Sequence, residues 1–125
     1  AFNYAECSTA ESLKVGCVIV KDHRIISIGY NGMPSGWTNA CEDKDFVTKP
    51  EVLHAEENAI TKLARSNESG DGAIAFITHV PCLSCAKLLY SSGIIEVWYT
   101  HPYKNTEGLD FLNDCNIKVN AYADN

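Results

Sequence analysis

No apolar run among the 125 residues approaches the roughly 18 consecutive residues that a membrane-spanning helix needs. The opening AFNYAECSTAE lacks the basic start and apolar middle of a secretory signal. Repeats, low-complexity tracts and linkers are missing as well, so one domain is expected over residues 1–125. Basic residues are scarce: ten Lys and Arg stand against sixteen Asp and Glu, a net charge of −6. A protein that grips a long phosphate backbone ordinarily carries a basic face. General nucleic-acid binding is therefore not expected, whereas a small anionic ligand held by a few local groups is.

Six cysteines could be read as three disulfides. Two of them are locked in Cys-x-x-Cys, and nothing suggests secretion, so metal ligation or free thiols fit better. Cys17, in mid-strand, and Cys115, at a helix end, read as small core residues.

VGCVIV (15–20) and RIISIGY (24–30) are rich in β-branched residues and are separated by a short polar KDH, which predicts an antiparallel hairpin. NGMPSG (31–36) is dense in turn formers. A helical pattern runs from Pro50 to about Ser66, with Ile60, Leu63 and Ala64 on its apolar face, and NESGDG ends it. AIAFIT (73–78) reads as a strand covered on both faces. Pro81 opens a helix that stops at Gly93. IIEVWY (94–99) is a further buried strand, EGLDFLND (107–114) a short helix, and IKVNAY (117–122) a last strand. Strand–helix alternation implies right-handed crossovers and parallel pairing of the final three strands. The expected fold class is α/β, a three-layer sandwich with a mixed five-stranded sheet and helices on both faces.

Cys82 and Cys85 straddle the start of a helix, where unpaired N–H groups and the dipole favour thiolate. That suits zinc, although a lone Cys-x-x-Cys also serves redox chemistry. A thioredoxin-like motif, however, follows the first strand of its unit, and this one lies late in the chain. His54 in LHAEENAI is the best-placed third ligand, because the helices carrying HAE and PCLSC flank the strand at 73–78, so their N-termini can meet at one end of the sheet. His23, in a hairpin turn, and His101, in a loop after a strand, fit less well. One difficulty is geometric. Positions two apart on a helix point about 200° apart, so His54 and Glu56 converge only if the helix tip itself faces the site. A start at Pro50 permits this by placing both in the first turns. Three protein ligands leave one position open, as in catalytic zinc sites, with Glu56 to carry protons and Glu57 to complement the dipole.

His-x-Glu followed by Pro-Cys-x-x-Cys is the signature of zinc-dependent nucleobase deaminases, and HAE and PCLSC match it in order and spacing. The chain resembles that superfamily throughout its length. Within it, VGCVIV, IISIGYNGMPSG and HAEENAI make it similar to the deoxycytidylate (dCMP) deaminases. The resemblance implies hydrolysis of dCMP to dUMP and ammonia, supplying dUMP for thymidylate synthesis. It implies one Zn2+ per chain on His54, Cys82 and Cys85, with Glu56 as the proton carrier. Ala55 would offer its backbone N–H near the base, Asn31 would bond the sugar or base, and Tyr103 would meet the ligand. A second nucleotide site, activated by dCTP and inhibited by dTTP with Mg2+ alongside, would draw on Gly29, Tyr30, Gly32 and Arg65. A homo-oligomer, with a hexamer favoured, and an intracellular, cytoplasmic setting belong to the same implication.

There are departures. Many family members carry a long insertion before HAE, and here the stretch is short, ending in FVTKPEVLHAE. Cys7 and Cys41 find no histidine partners for a second zinc, and Lys14 reads as a surface lysine before a phosphate contact. Two rivals differ in kind: a tRNA-type or nucleoside deaminase with the same zinc core, and a zinc-stabilised interaction domain in which Glu56 is idle.

Overall fold

The computed structural model describes residues 15–32, 53–102 and 105–122. The expected hairpin is formed by β1 (Gly16–Lys21) and β2 (Arg24–Tyr30). Its turn residues Asp22 and His23 have φ of 52° and 62°, the left-handed backbone that suits a two-residue turn to the twist of its strands. β1 also pairs antiparallel with β3 (Ile74–His79). β4 (Glu96–His101) and β5 (Lys118–Ala121) add in parallel, as expected. The mixed five-stranded sheet has the order β2-β1-β3-β4-β5.

Among the described residues three helices accompany it: α1 (Ala55–Ala64), α2 (Leu83–Ser91) and α3 (Glu107–Asp114). They pack in a row on one face, α1 against α2 and α2 against α3, as right-handed crossovers between neighbouring parallel strands require. Helices are expected on both faces; among the described residues they cover this one. The opposite face presents Phe76, Trp98 and Tyr122, whose ring centroids stand 6.3–6.4 Å apart.

Alternation along the strands decides what faces the helices. Cys17 and Ile19, Ala75 and Ile77, and Val97 point into one core. They meet Ala55, Ala59 and Leu63 of α1, Ala86 and Leu89 of α2, and Leu112 of α3. The three α1 residues are spaced by four and share one stripe. Ile60 is only partly buried and Ala64 is exposed, so the apolar face of α1 is turned from the one expected. Cys17 is a core residue, as its mid-strand place suggested, and Cys115 is half-buried at the C-cap of α3.

Two boundaries differ from expectation for identifiable reasons. α1 starts at Ala55, not Pro50, which itself lies outside the described residues. Leu53 forms an antiparallel bridge with Gly32, exchanging N–H···O bonds of 2.8 and 3.0 Å. A residue committed to that pairing cannot join a helix. β4 begins at Glu96 and not at Ile94: Ile94 gives its N–H to Leu89 in closing the turn after α2, and Ile95 gives its N–H to Ala73, just ahead of β3. It continues to His101, which is therefore a strand residue and not a loop residue.

The register aligns Gly29, Cys17, Ile77 and Tyr99 across four strands. β2, β3 and β4 consequently run in one direction and end at the same edge. α1 follows β2, and α2 follows β3, so both helix N-termini arrive there. Gly29 makes the first arrival close. A methyl group on it would lie 2.2 Å from the Ala55 carbonyl oxygen and 2.5 Å from the Ala59 nitrogen. Gly29→Ala is expected to lower stability by about 1–3 kcal/mol through overpacking against unyielding backbone. Urea unfolding checks this, and an unchanged midpoint would contradict the close approach.

Candidate metal and catalytic site

His54 is not inside α1. It is the residue before it, extended at φ −71° and ψ 156°. This removes the angular difficulty of His-x-Glu. The imidazole leaves from extended backbone and Glu56 from the first helical turn, so both reach the same edge. Two local contacts set this geometry. The Gly32–Leu53 bridge holds the chain on the near side. On the far side the Glu57 carboxylate accepts the backbone N–H of His54 at 2.8 Å, the N3-to-N-cap half of a capping box. Glu57 thus does more than complement the dipole: it orients a candidate ligand. The spacing of three residues from 54 to 57 carried this signal, hidden by the expected earlier helix start.

Cys82 is the N-cap of α2 and Cys85 sits in its first turn. The Cys82 carbonyl accepts the Ala86 N–H at 2.9 Å. Gly108 of α3 supports the turn from outside: a methyl group there would stand 2.0 Å from the Pro81 carbonyl oxygen and 3.0 Å from that of Cys82. No local sequence feature marks Gly108 for this role, since the contact is between separate elements.

His54 Nδ1 lies 3.3 Å from Cys85 Sγ and 3.6 Å from Cys82 Sγ. All three ligand atoms fall within 4.8 Å of one another. A tetrahedral zinc with bonds of roughly 2.3 Å to sulfur and roughly 2.0 Å to nitrogen keeps such atoms about 3.6 Å apart. The donor set and its spacing therefore fit that ion. His54 is exposed, Cys82 half-buried and Cys85 buried, so the cluster opens to solvent on the histidine side.

Glu56 lies beside this cluster and is only 4% exposed. Burial pushes its carboxyl above the usual carboxylate range, opposed by a backbone hydrogen bond, by His54 and by Cys85. The Cys85 thiol is driven strongly upward, first by burial, then by Glu56 and Cys82. Buried acids crowded in this way resist ionisation together. A divalent cation reverses the balance for the sulfurs, since a coordinating thiol is deprotonated outright.

The other expected residues are distributed unevenly. Ala55 is fully buried at the first position of α1. Asn31 follows β2 at the same edge, where its Oδ1 accepts the Val15 N–H at 2.9 Å. Tyr30 and Gly32 flank it. Gly29 is packed beneath α1, and Arg65 is the C-cap at the opposite end of that helix, about 16 Å from His54 at 1.5 Å per residue. The effector group is thus not gathered into one place. Tyr103, Cys7, Cys41 and Lys14 lie outside the described residues.

Residues 1–101 match the family model for the cytidine and deoxycytidylate deaminase zinc-binding region. ComE operon protein 2 of Bacillus subtilis is 36% identical over 100 residues, covering 78% of this chain and 53% of its own length. The deoxycytidylate deaminase of Saccharomyces cerevisiae is 34% identical over 129 residues, covering 95% of this chain and 41% of its own length. The chain thus spans about half the length of these curated relatives. Among solved structures, the dCMP deaminase of cyanophage S-TIM5 in complex with dCMP and dUMP superimposes with a TM-score of 0.95 at 41% identity, covering 98% of this chain and 90% of that one.

The hydrogen bond from His54 to Glu57 has a measurable consequence. Glu57→Ala is expected to weaken zinc retention by about tenfold or more, as loss of partners behind a ligand usually does. Glu57→Gln, which keeps an acceptor oxygen, should retain most of the affinity. Competition with a chromogenic chelator measures both, and equal losses would show that charge, not the hydrogen bond, matters.

Proposed function

The chain belongs to the cytidine and deoxycytidylate deaminase zinc-binding family, and from that membership we propose that it hydrolyses dCMP to dUMP and ammonia. The observation that carries this reading is the placement of His54, Cys82 and Cys85 at tetrahedral spacing beside the buried carboxyl of Glu56. The cyanophage enzyme with dCMP and dUMP bound supports the choice of a nucleotide substrate. Its identity of 41% extends over nearly the whole chain.

His54, Cys82 and Cys85 would hold the zinc ion. Zinc bound in such a three-ligand site lowers the pKa of a water molecule and makes it a nucleophile near neutral pH. Glu56 performs the proton work. It takes the proton released as water attacks C4 of the base and delivers it to N3; it then takes the proton of the new C4 hydroxyl and passes it to the amino group, so that the C4 carbonyl forms as ammonia, and not an amide anion, departs. Water and dCMP are consumed, and dUMP and ammonia are formed, with no redox change. Burial serves the step by keeping the Glu56 carboxyl away from bulk solvent. The backbone N–H of Ala55 and the side chain of Asn31 orient the base and sugar, with Tyr103 as a further ligand contact.

The chain would act as a single deaminase-type unit in an intracellular, cytoplasmic setting, as nucleotide metabolism requires. Assembly as a homo-oligomer, with a hexamer favoured, belongs to the same reading. So does control by dCTP and dTTP with Mg2+, for which Tyr30 and Gly32 are the members best placed near the edge and Gly29 and Arg65 the remaining ones. The acidic balance of the chain favours a free nucleotide over a tRNA substrate.

Glu56→Ala is expected to keep one zinc per chain while turnover falls by about 10² to 10⁴ or more, the usual span for losing a positioned proton carrier. Loss of cytosine absorbance with dCMP, cytidine and a tRNA anticodon stem in parallel reads both activity and substrate class. Appreciable activity in the variant would remove Glu56 from the mechanism, and wild-type preference for the RNA would replace dCMP as the substrate. Repeating the dCMP assay with dCTP and with dTTP tests regulation.

A further inference from the structure

The proposed chemistry uses one histidine, yet two others stand side by side at the same edge of the sheet. His79 ends β3 and His101 ends β4, and the parallel register places them directly opposite each other. Their ring centroids are 4.9 Å apart. In open α/β sheets, ligands bind beyond the carboxyl ends of the parallel strands, which is where this pair lies. Alternation puts both side chains on the face of Ala75, Ile77 and Val97, the face that carries the helices. Cys82 follows His79 by only three residues, and the Val80 N–H bonds the His101 carbonyl at 3.1 Å, tying the two strand ends together beneath the Pro81–Cys82 turn.

The orientation of His79 is set from within the protein. Thr78 is fully buried. Its hydroxyl oxygen accepts the Gly16 N–H at 3.1 Å and lies 2.9 Å from His79 Nδ1. That contact holds the Nδ1 side of the ring and leaves Nε2 on the side away from Thr78, where it carries a donor when Nδ1 accepts the hydroxyl proton or when the ring is protonated. Burial and the neighbouring His101 also hold His79 below the ordinary histidine range. An anion bridging the two rings would accept from both and favour their protonated, donating forms.

We propose that His79 and His101 bind the phosphate of the nucleotide whose base reaches the His54–Cys82–Cys85 centre. This rests on the deaminase reading. The metal cluster and Glu56 account for the base alone, and a phosphate monoester requires donors of its own. Side-by-side imidazoles anchored on adjacent rigid strands supply them at fixed separation.

Two measurements decide it. The first compares wild type with His79→Leu and His101→Phe, after confirming zinc content and melting temperature, using dCMP and the phosphate-free deoxycytidine. Each variant should raise KM for dCMP about tenfold or more, as loss of a charged hydrogen bond does, with kcat for dCMP much less affected. His101→Asn, which keeps a donor, should recover part of the loss. Parallel losses for dCMP and deoxycytidine, or no loss for either, would overturn the assignment. The second follows the imidazole resonances of both histidines in wild-type protein titrated with dUMP and, separately, with inorganic phosphate. Shifts of both rings with dUMP are expected. Silence with dUMP, or a response to inorganic phosphate alone, would overturn the nucleotide assignment. Should wild type deaminate neither substrate, the proposed function fails, while the titration still decides the histidine pair.

Discussion

Gly29 lets β2 press on the first turn of α1 with no side chain between them, and Gly108 does the same for α3 against the Pro81 carbonyl. Those two contacts between backbones pin the N-termini of α1 and α2 to one edge of the sheet. The metal-ligand geometry depends on that pinning. His54 and Cys82 are 28 residues apart, and Cys85 is 31 from His54, yet their ligand atoms sit at the separation a tetrahedral ion demands. Ligand atoms misplaced by an ångström would leave three ordinary polar side chains, since coordination distances tolerate only about 0.2 Å.

Helix ends are costly places because their first N–H groups have no partner within the helix. Here that cost is turned to use at both tips. The N-cap positions of α1 and α2 are taken by His54 and Cys82, so two of the three candidate ligands are residues that already mark the helix starts. Glu57 then meets a backbone N–H just outside the helix and so stiffens the imidazole. Glu56, the proton carrier of the proposed reaction, is buried one position earlier. Neighbouring carboxylates with opposite tasks are separated by environment alone: one braces backbone in a half-exposed position, the other is desolvated beside sulfur. This division parallels the general way active sites assign roles to chemically identical groups.

The sheet also does work that the motif does not announce. Because β2, β3 and β4 run in one direction, their carboxyl ends deliver Asn31, His79 and His101 to the edge where the helix tips arrive. The strand ends thereby supply polar groups around a centre whose chemistry comes from the helices. Thr78 links these parts, joining the first residue of β1 to the ring of His79 through one buried hydroxyl.

Much was legible from the chain before any coordinates. The hairpin at residues 16–30, the parallel β3-β4-β5 unit, the span of α3 and the grouping of His54 with Cys82 and Cys85 all follow from periodicity, turn residues and ligand spacing, which are written within short stretches. Other features were decided only on folding. The true start of α1 depends on the bridge between Leu53 and Gly32, the need for glycine at 29 and 108 depends on backbones from separate elements, and the meeting of His79 with His101 depends on strand register. Local patterns constrain a residue through its sequence neighbours, whereas close approach is a property of how whole elements dock, and no short stretch of sequence encodes that.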